Sequence, residues 1–170
     1  TAPSITIGDA GAEDTKIVFD GNALDFHIGL DDSADTLVIG KGSALGTTTA
    51  MSFDTNGVIT KPLQPAFLVQ KSAAQSNFST GSNQTVTFNT ETIDTNADFA
   101  SNTFTAPVAG SYQFNVSLRL QTIDTASDYY SLFLNTSNRL IRLELIDPDG
   151  LDSDAGYWSL TGASLSDMDA

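Results

Sequence analysis

The sequence predicts an all-β protein, and three of its features support this prediction. Short runs rich in Ile, Val, Phe and Thr recur along the chain, and Gly, Asn or Asp turns separate them. Charged residues make up only 16%, and Ser, Thr and Asn occupy the positions that helices usually give to Lys and Glu. The one Ala-rich stretch, residues 71–75, is too short to hold a helix alone.

The N-terminal part predicts short strands with little core of their own. These strands lie at residues 4–7, 16–19, 24–28, 36–39, 51–53 and 58–60, with a tight turn at Asn56-Gly57. Each strand has two or three apolar side chains, which is too few to stabilise a monomer. We therefore expect residues 1–62 to form a stem in which three chains intertwine through Ile17, Phe19, Leu37 and Ile39. The alternative is a flexible low-complexity leader, although such leaders seldom carry apolar residues so regularly.

The prolines Pro62 and Pro65 mark a boundary, because two prolines so close cannot both lie in a paired central strand. Residues 63–170 carry longer strands and form a second predicted domain. Residues 111–120 alternate strictly, with Tyr112 and Phe114 on the apolar face. Residues 129–134 and 139–146 predict two more strands, the latter with Ile141, Leu143 and Leu145 on one face. Several such strands favour a β-sandwich.

An ordered set of aromatic residues and turns in this second part is specific. Phe88, Asp94, Phe99 and Phe104 follow one another at short, regular spacings, and Gly110-x-Tyr112-x-Phe114 comes next. This motif resembles the signature of the complement component 1q globular-head family, which shares the tumour necrosis factor jelly roll. Residues 64–67 are similar to the first strand of that family.

The resemblance implies a jelly-roll head over residues 63–170. Its core would include Phe88, Phe99, Phe104, Gly110, Tyr112 and Phe114, with Gly110 at a corner whose backbone angle other residues avoid. The family's two closing strands would lie beyond Ala170, so we expect this chain to be truncated. Heads of this family typically form trimers, which agrees with a trimeric stem.

Residues 16–40 resemble a segment common in the fibres of tailed phages. Stem and head together are therefore similar to phage tail fibres and related virion appendages. This likeness implies a structural, receptor-binding protein on the virion surface or in the extracellular space. Its partners would be two further copies of itself, other virion proteins and a host-surface glycan or protein, contacted by loops. The alternative is a bacterial secreted adhesin, or a matrix filament, with the same head.

Charge and composition argue against several other classes of protein. Seven basic and 21 acidic residues give a net charge of −14, which disfavours binding to nucleic acid or anionic membranes. No stretch approaches the ~20 apolar residues of a membrane span. The chain has no cysteine and one histidine, His27, which we predict to be a surface or interface residue. We therefore expect no enzymatic activity.

One acidic loop remains as a candidate metal site. Asp147, Asp149, Asp152 and Asp154 lie close together around Pro148 and Gly150. Alternate carboxylates beside a glycine are ligands that calcium uses, although the spacing of an EF-hand is missing. The loop predicts either a weak calcium site or a solvated acidic turn.

Overall fold

The computed structural model describes residues 2–79 and 81–170, and this part of the chain is almost entirely β, as predicted. The strands are β1 (Thr15–Phe19), β2 (Phe26–Asp31), β3 (Thr36–Lys41), β4 (Thr49–Phe53), β5 (Ile59–Thr60), β6 (Phe67–Gln70), β7 (Thr90–Asp94), β8 (Phe99–Ala100), β9 (Thr103–Phe104), β10 (Gly110–Ile123), β11 (Tyr130–Asn135), β12 (Leu140–Ile146) and β13 (Ala155–Met168). The chain divides into two compact units, Thr1–Thr103 and Phe104–Ala170.

Strands β1 to β5 form one antiparallel sheet in which each strand pairs with the next along the chain. The register places Ile17 of β1, Ile28 of β2 and Ile39 of β3 side by side on one face. The turn between β4 and β5 uses the predicted Asn56-Gly57 pair, and Gly57 adopts a φ of +77°, which glycine tolerates without strain.

The opposite face of this sheet is closed by the connection between β3 and β4. His27 is fully buried there, and its Nδ1 lies 2.8 Å from the carbonyl oxygen of Gly42. The ring packs so closely on Gly40 that no Cβ fits at that position. Gly29 likewise leaves room for Leu45 of the connection. The expectation that His27 is a surface or interface residue is therefore wrong, because the connection covers it.

The predicted strand at residues 4–7 is also wrong. These residues form no strand, and the side chain of Ile5 is 94% exposed. The local alternation of apolar and polar residues is present, but β1 is the edge of the sheet and pairs only with β2. A strand without a hydrogen-bonded partner is not stable in water.

The rest of the first unit is organised around a short hairpin of β6 and β7. Phe67 stacks on Phe99 with ring centroids 5.1 Å apart, and Phe88 approaches Phe99 edge-on at 6.4 Å. The Asp94 carboxylate accepts hydrogen bonds from the backbone N–H groups of Asp98 and Phe99. These contacts hold the chain compactly between β7 and β8.

The second unit is sandwich-like, with a long ribbon of β10 and β13 facing a hairpin of β11 and β12. Leu132, Ile146 and Leu160 form the centre of its core. Gly162 of β13 lets β12 approach closely, because a Cβ there would lie 2.5 Å from the Cβ of Leu143. The predicted alternation in β10 is confirmed: burial changes with every residue along most of the strand.

The predicted faces of β12 need one correction. A bulge interrupts the pairing of β11 and β12 between Leu132 and Phe133. Ile146 therefore lies in the core, whereas Leu145, predicted to share the face of Ile141 and Leu143, is 44% exposed. A bulge shifts the alternation by one residue, and the sequence carries no local signal for it.

The predicted domain boundary after residue 62 follows the last strand of the five-stranded sheet, and it stays a prediction. Within the described ranges, no helix is long and apolar enough to cross a membrane.

Candidate functional sites

The four residues predicted to join neighbouring stems lie on one face of the five-stranded sheet. Ile17 and Phe19 project from β1, and Leu37 and Ile39 project from β3. Strand β2 lies between them, and the cross-strand pairs extend the same apolar surface to β4 and β5. We call this surface the open face, and it comprises Ile17, Phe19, Phe26, Ile28, Leu30, Leu37, Ile39, Met51, Phe53 and Ile59.

The open face is as large as the largest apolar patches found on ordinary monomers. Seven of its ten side chains are between 38% and 55% exposed, and the other three are half-buried. With about 180 Å² for a large side chain, those seven residues expose roughly 600 Å². The largest patch on a typical monomer covers about 300–600 Å², and it often marks an interaction site. The sequence analysis did not predict that the apolar side chains of β2 belong to this surface. Their place in it depends on the pairing of β2 with β1 and β3, which the sequence of a single strand does not specify.

The predicted head-core residues form two aromatic clusters, one in each compact unit. Phe99 is buried, and half-buried Phe88 contacts it in the first unit. In the second unit, the ring of Phe104 lies edge-on to Tyr112 at 5.3 Å and to buried Phe114 at 5.8 Å. Tyr112 is half-buried, and its hydroxyl donates a hydrogen bond to the carbonyl oxygen of Val108. A shared jelly-roll core for all of these residues stays a prediction.

The expected role of Gly110 is wrong. Gly110 is exposed, begins strand β10 and has no positive φ. A Cβ added there would meet only a Tyr112 ring carbon at 3.8 Å, which is ordinary contact. Glycine is therefore not required at this position for conformational reasons.

The acidic loop between β12 and β13 uses two of its four carboxylates to shape the backbone. Asp147 Oδ1 accepts a hydrogen bond from the backbone N–H of Asp149 and caps the 3-10 turn Pro148–Gly150. Asp154 Oδ1 accepts hydrogen bonds from the backbone N–H and the hydroxyl of Thr125, each at 3.0 Å. The hydrogen bonds from Thr125, the backbone one first, hold the pKa of the Asp154 carboxyl below its usual value.

This geometry gives the calcium hypothesis no converging set of ligands. Among the residues that the structure describes, no group of three or more His, Cys, Asp or Glu side chains is placed to hold a metal ion. Two carboxylates of the loop already have hydrogen-bond donors, which lowers the repulsion that calcium would relieve. The calcium site predicted at Asp147, Asp149, Asp152 and Asp154 stays a prediction.

The outward face of the β10–β13 ribbon carries a pair of residues that the sequence does not reveal. The guanidinium carbon of Arg119 lies 5.1 Å from the ring centroid of Tyr157. The two residues are far apart in the chain, and the register brings them together by pairing Arg119 with Ser159 and Gln121 with Tyr157. Tyr157 is 66% exposed. Tyr and Arg are among the residue types that contribute most often to the binding energy of protein interfaces.

The likeness to complement component 1q heads is carried by the motif residues and is compatible with an all-β, sandwich-like fold. No model of a known protein family matches the chain, and no curated protein or solved structure is significantly similar to it.

Proposed function

We propose that this protein is a structural, receptor-binding fibre. It is a homotrimer held together by its N-terminal sheet, and it presents the predicted head, residues 63–170, to a host surface. The open face is the observation that carries the proposal. An apolar surface of about 600 Å² lies at the upper end of the range for monomers, where such patches often mark interaction sites, and it approaches the roughly 800 Å² that each partner contributes to a standard protein interface.

Further copies of the same chain are the partners that fit the open face best. The chain has a net charge of −14, so two copies repel each other wherever their acidic surfaces approach. Among the paired positions on this side of the sheet, Lys41 is the one charged residue, at the end of β3. Covering the open face contributes on the order of 15 kcal/mol per chain at about 25 cal/mol per Å². This contribution is at least as large as the approximately 4–15 kcal/mol that association costs.

We propose an assembly of three chains rather than two because residues 63–170 resemble the heads of the complement component 1q family, which typically form trimers. In this arrangement the stem is a spacer and the head presents its outer surfaces to a host glycan or protein. The proposed setting is a phage virion, where other virion proteins hold the fibre. A bacterial adhesin or matrix filament is the second candidate, since the same architecture would serve it. Neighbouring genes separate the two: tail and baseplate genes support the fibre, and secretion genes support the adhesin.

Adjacent residues on β1 provide a matched test of the assembly. Ile17 lies on the open face, whereas Val18 pairs with His27 on the opposite side of the sheet. We expect light scattering to report three chains for the wild type and for Val18→Asp, and one chain for Ile17→Asp. A wild-type protein that is a stable monomer at micromolar concentration would refute the proposal.

A further inference from the structure

The outward face of the β10–β13 ribbon carries little of the acidic charge of this protein. Among the described residues, the one ion pair joins Arg139 to Asp167 at 2.7 Å. Arg119 has no carboxylate partner of this kind, although the chain contains 21 acidic residues. In these two fully described strands, Asp167 is the one acidic residue at an outward position, and Arg139 neutralises it. Arg119, in the middle of the ribbon, therefore has no ion-pair partner among the described residues, and the nearby Glu144 carboxylate of β12 accepts a hydrogen bond from the backbone N–H of Thr161 instead.

The contact between Arg119 and Tyr157 leaves both groups able to bind a ligand. A guanidinium that lies over a ring keeps its N–H donors at its edge, and these donors match the two oxygens of a carboxylate. Tyr157 is 66% exposed, so much of its ring remains in contact with water. A tyrosine has few rotatable bonds, and it therefore loses little entropy when a ligand covers it.

Uncharged polar groups surround this pair on both strands. Gln121 and Ser117 face outward beside Arg119 on β10, and Ser159 and Thr161 face outward on β13. Their amides and hydroxyls both donate and accept hydrogen bonds, as the hydroxyl groups of a sugar require. A single cation on this face, in a chain of net charge −14, suits an isolated anionic group better than a polyphosphate backbone, which needs several cations.

We infer that this face binds an acidic saccharide, whose carboxylate pairs with Arg119 and whose ring packs against Tyr157. The inference rests on the proposed attachment function, and it assigns to the host ligand both a chemical class and a place on the molecule. It also differs from the expectation that binding is confined to loops, because the contacts come from the middle of two strands.

The test uses the full chain and two matched sets of oligosaccharides. One set ends in sialic acid or contains glucuronic acid, and the other contains the same sugars with the carboxyl reduced to an alcohol. We expect the wild type to bind members of the acidic set and to lose at least tenfold in affinity for their reduced counterparts. Arg119→Gln and Tyr157→Ala should each lower affinity for the acidic set at least tenfold. Arg139→Gln removes the same charge away from this pair and should change affinity less than twofold.

Light scattering and thermal melting on each variant show whether it is folded and assembled. A wild type that binds no acidic oligosaccharide at millimolar concentration would overturn the inference, as would equal binding by wild type and a folded Arg119→Gln variant. Either result with an intact trimer would leave the proposed fibre in place. A monomeric wild type would instead refute the fibre itself, so the two failures are distinguishable.

Discussion

Replacing Phe114 by alanine tests the core of the second unit most directly. Phe114 is 9% exposed on β10, and Phe104 lies edge-on to its ring at 5.8 Å. Truncation removes roughly 120 Å² of buried apolar surface, worth about 3 kcal/mol. The lost aromatic contact adds about 0.5–1.5 kcal/mol. We therefore expect Phe114→Ala to lower the free energy of unfolding by about 3–5 kcal/mol, which is the usual range for a buried phenylalanine.

Trp158 makes this loss measurable in the second unit alone. It is the single tryptophan of the chain, and it packs against the core cluster of Leu132, Ile146 and Leu160. Urea denaturation followed by its fluorescence, at one fixed protein concentration, should show a midpoint lowered by about 2 M at a slope near 2 kcal/mol per M.

The matched control for this measurement is Leu165→Ala. Leu165 is 68% exposed on β13, and its truncation should cost less than about 0.5 kcal/mol. A loss below about 1 kcal/mol for Phe114→Ala would refute the assignment of the inward face of β10, because a buried phenylalanine cannot be removed so cheaply.

Three further predictions concern the sheet and the acidic loop. Gly40→Ala forces a Cβ against the His27 ring, so we expect it to cost about 1–3 kcal/mol and to speed amide hydrogen exchange in β2 and β3. Gly156→Ala is the control, because an added Cβ there meets nothing within 4 Å and the backbone has no positive φ. The hydrogen bonds from Thr125 that lower the pKa of the Asp154 carboxyl stabilise the folded state at pH values above the usual carboxyl pKa. This stabilisation is lost as the pH falls through the pKa of the folded state. We therefore expect the melting temperature of Asp154→Asn to depend less on pH than that of the wild type between about pH 5 and 2. For a calcium site in the acidic loop, we expect the melting temperature of the wild type to be higher with excess calcium than with chelator, and that of Asp149→Asn/Asp152→Asn to be the same in both. Equal melting temperatures for the wild type in the two conditions would support the solvated turn.

Local patterns in the sequence were enough to predict strands β1 to β5, strands β10 to β12 and the turn before β5, but they missed β13 and wrongly predicted a strand at residues 4–7. The alternation from Tyr112 to Leu120 specifies which side chains of β10 are inward, because successive side chains of a strand point to opposite faces. The Asn56-Gly57 pair likewise specifies the turn before β5, since glycine accepts a positive φ without strain. Both are properties of neighbouring residues, so they can be read without knowing the rest of the fold.

Features that depend on distant pairing were decided only by the tertiary structure. The connection between β3 and β4 buries His27 and leaves the other side of the sheet open, although both sides carry apolar residues. The bulge beside Leu132 turns Leu145 outward, against its local pattern. The register of β10 and β13 brings Arg119 to Tyr157, and Thr125 reaches Asp154 from a separate loop. A sequence shows which side chains a strand presents, but the free energy of packing and pairing determines which surfaces and distant residues they meet.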